Sequence, residues 1–540
     1  MDKSVLVHYF LEKGFLVSPD FFDSLPSEFE ESSFSRSLSS FSVSPLVLHS
    51  SLFREDSSLD VNWSEFEKSR VIFEKQGSSS VYSAFLDLFS GAPSVPDTSS
   101  LYEESFSEES PPYEPISPSG SVVVLKSYID TFQKKKVQDF VDHFRVRYES
   151  LRDILLSRLD LQHSISINRL SHKQHGDDVS FIGLISSKVM TKNGNYRLTL
   201  EDLTGTIDVL ITKTKEELYS LVDDCVLDEV VGIRGVLGQN IVFCNQLYVP
   251  DIPEGSEFKK APDETYAAII SDIHVGLHLF LEEDFNNFLK WTRGEFGNKK
   301  QRHIASKLKY LFLNGDLVEG VGIYPGQEED LVIKDITKQY DQLAFFLSQI
   351  PSHIQLIICG GNHDALRLSE PQPPLDKKYA SALYSLPNAL HVSNPSLITI
   401  HADKDFPGFD VLMYHGFSIP YYADSVPSIR QAGGMNRTDL IMKYLLQRRH
   451  LAPAHGSNLY VPDPHKDPLV IDKVPDIFIT GHVHQACASH YKHVTLINSS
   501  CWASQSEDNK RRGIVPTPSR VPLLNLKTRE VRFMNFYQGS

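Results

Sequence analysis

Five short segments in the C-terminal half of the chain put a cation-binding side chain directly after an apolar, strand-like run. Tyr266 to Ile270 leads into Ser271-Asp272-Ile273-His274, and Tyr310 to Leu313 leads into Asn314-Gly315-Asp316. Ile354 to Cys359 leads into Gly360-Gly361-Asn362-His363-Asp364. Val411 to Tyr414 leads into His415-Gly416, and Asp476 to Thr480 leads into Gly481-His482-Val483-His484. Singly, Asp-x-His, Gly-Asp or His-Gly is more often a loop or a turn than a ligand, and only Gly-His-x-His has some specificity for metal. The ordered set carries the argument, because ligand sites in layered α/β sheets collect at the carboxyl ends of strands. Residues two apart in an extended segment project the same way, so Asp272 with His274, and His482 with His484, can converge. Seven donors of mixed oxygen and imidazole type suit two borderline cations such as Mn2+, Zn2+ or Fe. Two such ions, about 3.5–4 Å apart, can clamp and polarise a phosphate and lower the pKa of a water.

The elements that must position these residues occupy only part of the 540-residue chain. A hydrophobic content of 41% allows a sizeable core, and the length allows about three domains. The net charge of −16 argues against binding nucleic acid through bulk positive charge, although bound cations can supply charge where a phosphate sits. Five cysteines without CxxC spacing argue against a disulfide framework or a thiolate zinc site. With no signal peptide or membrane-spanning apolar run legible, the sequence reads as soluble and intracellular. Residues 1–27 are expected to form a small helical unit, on apolar spacing through Val5, Leu6, Tyr9 and Phe10. Residues 28–121, rich in Ser, Glu and Pro, read as a mostly disordered linker. Residues 122–161 read as a helical connector, with Phe140, Phe144 and Tyr148 on one apolar face. Over 162–258 the period shifts to about five short strands, with Lys192-Asn193-Gly194-Asn195 as a hairpin turn, which predicts an all-β barrel of the OB type. Lacking a dense basic and aromatic face, that barrel reads as a packing module before a single-strand binder. Residues 259–540 alternate strands and helices, as an α/β sandwich does.

The five motifs resemble those of the calcineurin-like metallophosphoesterases. Longer stretches are similar to the small subunits of archaeal family D DNA polymerases: Gly361 to Leu375, Tyr444 to Pro453, Ile479 to Ala486, Thr495 to Trp502 and Pro516 to Pro522. The resemblance runs from about Ser180 to Phe536. It implies that Asp272, His274 and His484 hold one divalent metal ion, that Asn362, His415 and His482 hold a second, and that Asp316 bridges them. It points to manganese first, with zinc or iron as alternatives. It casts His363 as the group that protonates the leaving 3′-oxygen or stabilises the transition state, with Asp364, on adjacency alone, orienting the imidazole. Arg367 is the foremost candidate to contact a substrate phosphate. Glu319 stands where the related repair nuclease commonly has histidine, and its role stays open. The resemblance implies a 3′–5′ exonuclease acting on DNA, a large catalytic polymerase subunit as partner, and a cytoplasmic, nucleoid-associated place in an archaeal cell. The sliding clamp remains open as a further partner, since no clamp-binding box is legible. A non-catalytic scaffold subunit and a phosphatase or small-molecule phosphodiesterase are the competing readings. The basic clusters Lys299-Lys300-Arg302, Arg448-Arg449 and Lys510-Arg511-Arg512 are read as solvated surface before phosphate-tracking groups, and Trp502 as core.

Overall fold

The computed structural model describes residues 122–129, 134–255, 257–505 and 515–538, together with two dipeptide strands. These strands, β1 (Leu16–Val17) and β2 (Val47–Leu48), pair in parallel within a unit spanning Met1–Glu114. β1 lies inside the stretch expected to be helical and β2 inside the expected linker; the remainder of both expectations lies outside the described residues.

The second unit, Pro115–Ser540, opens with β3 (Val122–Ser127) and helix α1 (Val137–Leu156). The run Val122-Val123-Val124 is rich in β-branched residues, which suit a pleated surface better than a helix. It pairs antiparallel with a strand some 270 residues further on, so the helical connector is shorter than its expected range. α1 buries His143, Arg147, Tyr148, Leu151 and Leu155, a stripe at helical spacing.

The barrel follows as β4 (Asp178–Met190), β5 (Tyr196–Asp202), β6 (Gly205–Ile211), α2 (Glu216–Asp223), β7 (Val230–Leu237) and β8 (Ile241–Tyr248). The strands close in the order β4-β5-β6-β8-β7, all antiparallel except β6 with β8. All five expected strands are present, and Gly194 takes the positive φ of 74° that the expected hairpin turn requires. Phe181, Leu198, Leu200, Val209, Val231 and Ile233 fill the interior.

Two six-stranded sheets make the rest. The first begins β9 (Tyr266–Ile270), α3 (Glu282–Thr292), α4 (Lys299–Ala305), β10 (Leu308–Asn314), α5 (Ile336–Leu347), β11 (Gln355–Cys359), α6 (Lys377–Tyr384) and β12 (Ala389–His391). The second uses β13 (Ser396–Ile400), β14 (Phe409–Met413), α7 (Ile419–Ser425), α8 (Pro427–Ala432), α9 (Thr438–Arg448), β15 (Ile477–Thr480), β16 (Cys487–Tyr491) and β17 (Val494–Asn498). The chain returns to the first sheet with β18 (Arg520–Asn525) and β19 (Val531–Asn535). The orders are β12-β11-β10-β9-β18-β19 and β16-β17-β15-β14-β13-β3. Ile269, Phe312, Ile357, Val411, Ile479 and Ile497 interlock between the sheets. Ile270, Leu311 and Leu313 face helices on the far side of the first sheet, and Leu412 and Phe478 do so on the second. Strands covered on both faces explain the continuous apolar runs in the sequence.

Candidate metal centre

The carboxyl ends of β9, β10, β11, β14 and β15 converge, and each delivers its motif to one place. Asp272, His274, Asp316, His482 and His484 all take positive φ, between 49° and 69°. Non-glycine residues pay for that conformation in sterics, and such strain persists where surrounding structure over-determines it. Here it is held by backbone bonds between motifs: Asp272 N–H donates to the Gly315 carbonyl at 2.9 Å, and His274 N–H to the Asp316 carbonyl at 3.2 Å. The His482 N–H donates to Asp272 Oδ2 at 3.0 Å. Gly361 admits no Cβ, because one would collide with the Asp316 carboxylate.

Asp272 with His274 and His484 forms one set of donor atoms, Asp316 with His415 and His482 a second, and His274 with Glu319 and His363 a third, each within 4.8 Å. Asn362 joins the second, its Oδ1 lying 3.0 Å from His415 Nε2. Asp316 Oδ2 is 3.2 Å from the same nitrogen. Three observations fit this arrangement to cations. Asp272 Oδ1 is buried without a hydrogen-bond partner. His274 Nε2 and His484 Nε2 face one another at 3.3 Å. His415 Nδ1 donates to the Asn314 carbonyl at 2.9 Å, which turns Nε2 into the cluster as a ligand requires.

The carboxylates draw positive charge onto some imidazoles of the cluster and leave another neutral. Burial would raise the Asp316 carboxyl, but the imidazoles of His415, His363 and His274 hold it well below its ordinary range. Burial opposes charge on His415, yet Asp316 and Asp272 raise it to about 10. His482, buried beside His415, is driven down to about 3. Burial likewise disfavours charge on His363, and Asp316 and Glu319 overcome it and raise its pKa.

The structure brings His363 to the edge of the cluster, with a side chain 19% exposed. Its N–H donates to Asp316 Oδ1 at 2.8 Å and its Nδ1 to the Glu319 carbonyl at 2.9 Å. Asp364 is not beside that imidazole. Its Oδ2 accepts from Gly361 N–H at 2.8 Å and from Leu317 N–H at 3.3 Å, and its Oδ1 accepts from Tyr340 at 3.0 Å. It therefore ties the β10 and β11 loops together; burial, with the Asp316 charge, raises its pKa to about 7. Arg367 turns to its own loop, donating to the carbonyls of Ser369 and Pro371. Glu319 is the residue whose part the sequence left open: its Oε2 accepts from His274 Nδ1 at 2.8 Å. The signal was its place three residues after Asp316.

Arg448 and Arg449 are not surface cations, each being 4% exposed. Arg448 lies 3.8 Å from the Tyr444 ring and 3.3 Å from Glu229 of the barrel side, and Arg449 donates to the carbonyls of Ile471 and Asp472. Trp502 is core, as expected. Lys510, Arg511 and Arg512 lie outside the described residues.

Residues 266–486 match the family model of the calcineurin-like phosphoesterases, the class to which this double sheet and its strand-end cluster correspond. That family uses divalent metals, and the Asp and His sets are compatible with them. The chain is 40% identical over 396 residues to the DNA polymerase II small subunit of Methanothermobacter thermautotrophicus, covering 73% of this chain and 79% of that one. It is 40% identical over 398 residues to that of Pyrococcus furiosus, covering 73% of this chain and 63% of that one, and 35% identical over 403 residues to that of Halobacterium salinarum, covering 74% and 75%. The chain belongs to the family of archaeal DNA polymerase II small subunits, the small subunits of the family D polymerase. Among the described residues no helix is long and apolar enough to cross a membrane.

Proposed function

We propose that this chain is the nuclease-bearing subunit of a family D polymerase, a metal-dependent 3′–5′ exodeoxyribonuclease that removes nucleotides from single-stranded or mismatched 3′ ends. The observation that carries the reading is that six of the seven expected donor side chains fall into two sets, with Asn362 beside the second and His363 at the accessible edge. When bound, two divalent cations, manganese first among them, supply Lewis acidity to a phosphate and lower the pKa of a water. The chain's own residues do the rest. The Glu319 carbonyl fixes His363 Nδ1 as the protonated nitrogen, which leaves Nε2 for the leaving 3′-oxygen. The raised pKa of His363 keeps it able to give a proton near neutrality. Asp364 acts on this only through the loops it ties together, and Arg367, whose guanidinium donates to the Pro371 carbonyl, stays the candidate for a substrate phosphate.

The barrel order, with β6 parallel to β8 and α2 before β7, supports the OB reading. A large catalytic subunit as partner follows from the relatives' being named small subunits, and a cytoplasmic place beside DNA from their being polymerase components. The scaffold reading would lead one to expect missing donors, and none is missing.

The test gives the purified full chain Mn2+ and 5′-labelled single-stranded DNA. A ladder of products shortened from the 3′ end, abolished in Asp316→Ala and His363→Ala, is expected. No ladder, or a ladder that survives both substitutions, would sink the nuclease. Failure to co-purify with a large polymerase subunit would sink the assembly.

A further inference from the structure

Two aromatic side chains beside the cluster take no part in the hydrophobic cores. Tyr324 lies in the loop after β10, 37% exposed, its ring 6.4 Å from that of His363. Its hydroxyl donates to Glu319 Oε1 at 3.2 Å or Asp330 Oδ2 at 3.0 Å, which anchors the ring while leaving part of it open. Phe417 follows β14, half-buried, its ring 5.6 Å from that of His482. The two therefore abut different halves of the cluster: Tyr324 the side of His363 and His274, whose rings are 4.8 Å apart, and Phe417 the side of His482 and His415, whose rings are 5.2 Å apart. Val321, 49% exposed, adds to the apolar rim of the Tyr324 loop. Apolar ring surface left open to water is unfavourable, and a ligand with flat apolar faces would cover it. Arg367, four residues after His363, donates to the Pro371 carbonyl of its own loop, whereas Tyr324 and Phe417 bring rings against the cluster.

We infer that Tyr324 and Phe417 are stacking platforms for the two bases that flank the scissile phosphate at a DNA 3′ end, and that they set the preference for unpaired ends. This rests on the nuclease reading. Every base has a π-face, so such platforms are indifferent to sequence. Bases in a duplex are already stacked on their neighbours and paired, so only a frayed, mismatched or single-stranded end delivers both bases at little cost. A paired end would first have to melt.

The experiment compares, for the full chain in Mn2+, kcat/KM on a single strand ending in ordinary nucleotides with that on the same strand whose last two nucleotides are abasic. The wild type should prefer the base-bearing end by about tenfold, equivalent to about 1.4 kcal/mol. In Tyr324→Ala and in Phe417→Ala the ratio should fall towards one, while Tyr324→Phe keeps it. The ratio is internal to each protein, so a variant merely damaged near His363 or His482 loses both substrates together and keeps its ratio. A 2-aminopurine at the 3′ terminus, quenched on stacking, should report the same differences without turnover. A wild-type ratio near one, a ratio preserved in both alanine variants, or a Tyr324→Phe variant as deficient as Tyr324→Ala would overturn the platforms. Cleavage of neither substrate by the wild type would instead overturn the nuclease reading, and the platforms with it.

Discussion

Two histidines at the centre are oriented by what their second nitrogen meets. His274 gives Nδ1 to Glu319 and His415 gives Nδ1 to the Asn314 carbonyl, so both present Nε2 to the cluster. Glu319→Gln keeps the shape but weakens the acceptor, and should lower divalent-metal affinity or activity by about 10–100-fold, read by calorimetric titration with Mn2+. Unchanged affinity and unchanged activity would show that the contact with His274 is incidental. His363→Ala should behave differently, with metal content retained by mass spectrometry and kcat down about 10²–10⁴-fold, the range for loss of a general acid. If metal is lost as well, His363 is a ligand rather than a proton donor. Gly361→Ala drives a methyl group into the Asp316 carboxylate, and should cost about 1–3 kcal/mol on urea unfolding, along with the activity.

Among the elements, α1 depends on one buried network. Arg147 Nε donates to Asp467 Oδ2 at 2.6 Å, and His450 Nε2 lies 2.9 Å from the same oxygen. Arg147→Met would leave the Asp467 carboxylate, 0% exposed, without its cation. A loss of about 3–5 kcal/mol is expected by urea denaturation, with Arg147→Met/Asp467→Leu recovering much of it. If the single variant costs under about 1 kcal/mol, the network does not hold the helix. The pattern of α1 was legible because its buried face repeats at helical spacing. Arg448 and Arg449 were not legible as buried, since a charged pair at a helix end looks the same whether it meets water or a partner from a distant segment.

At the scale of the whole molecule, pH acts through histidines kept neutral by burial. His450 is held at about 4, by burial and then by the Arg147 charge, and His391 at about 4, by burial. Both folded values lie below the unfolded one of about 6.5, so the unfolded state binds more protons in between. The stability each contributes is complete above about pH 6.5 and is lost as the pH falls towards 4, at up to about 1.4 kcal/mol per pH unit per residue. Melting midpoints of the full chain should therefore decline from pH 7 to pH 4.5, and less steeply in His391→Gln. A flat profile, or an identical slope in the variant, would contradict this.

Much of the centre was written locally. A polar motif after each buried strand needs only short-range spacing, so Asp272, His274, Asp316, Asn362, His415, His482 and His484 could be picked out as candidate donors from the sequence, as could the five barrel strands and the burial of Trp502. What only the tertiary structure decided depends on segments far apart in the chain. Val122–Ser127 became a sheet strand because β13 offered it an edge. Asp364 bonded across to the β10 loop in preference to the imidazole one residue before it, because in a turn adjacent side chains diverge. The donors divide into sets, with a buried Asp272 oxygen that makes no hydrogen bond and lies 3.4 Å from His484 Nε2, only because two sheets bring five strand ends together. A side chain's type shows what it can bind, but its partners depend on which distant backbone folds beside it.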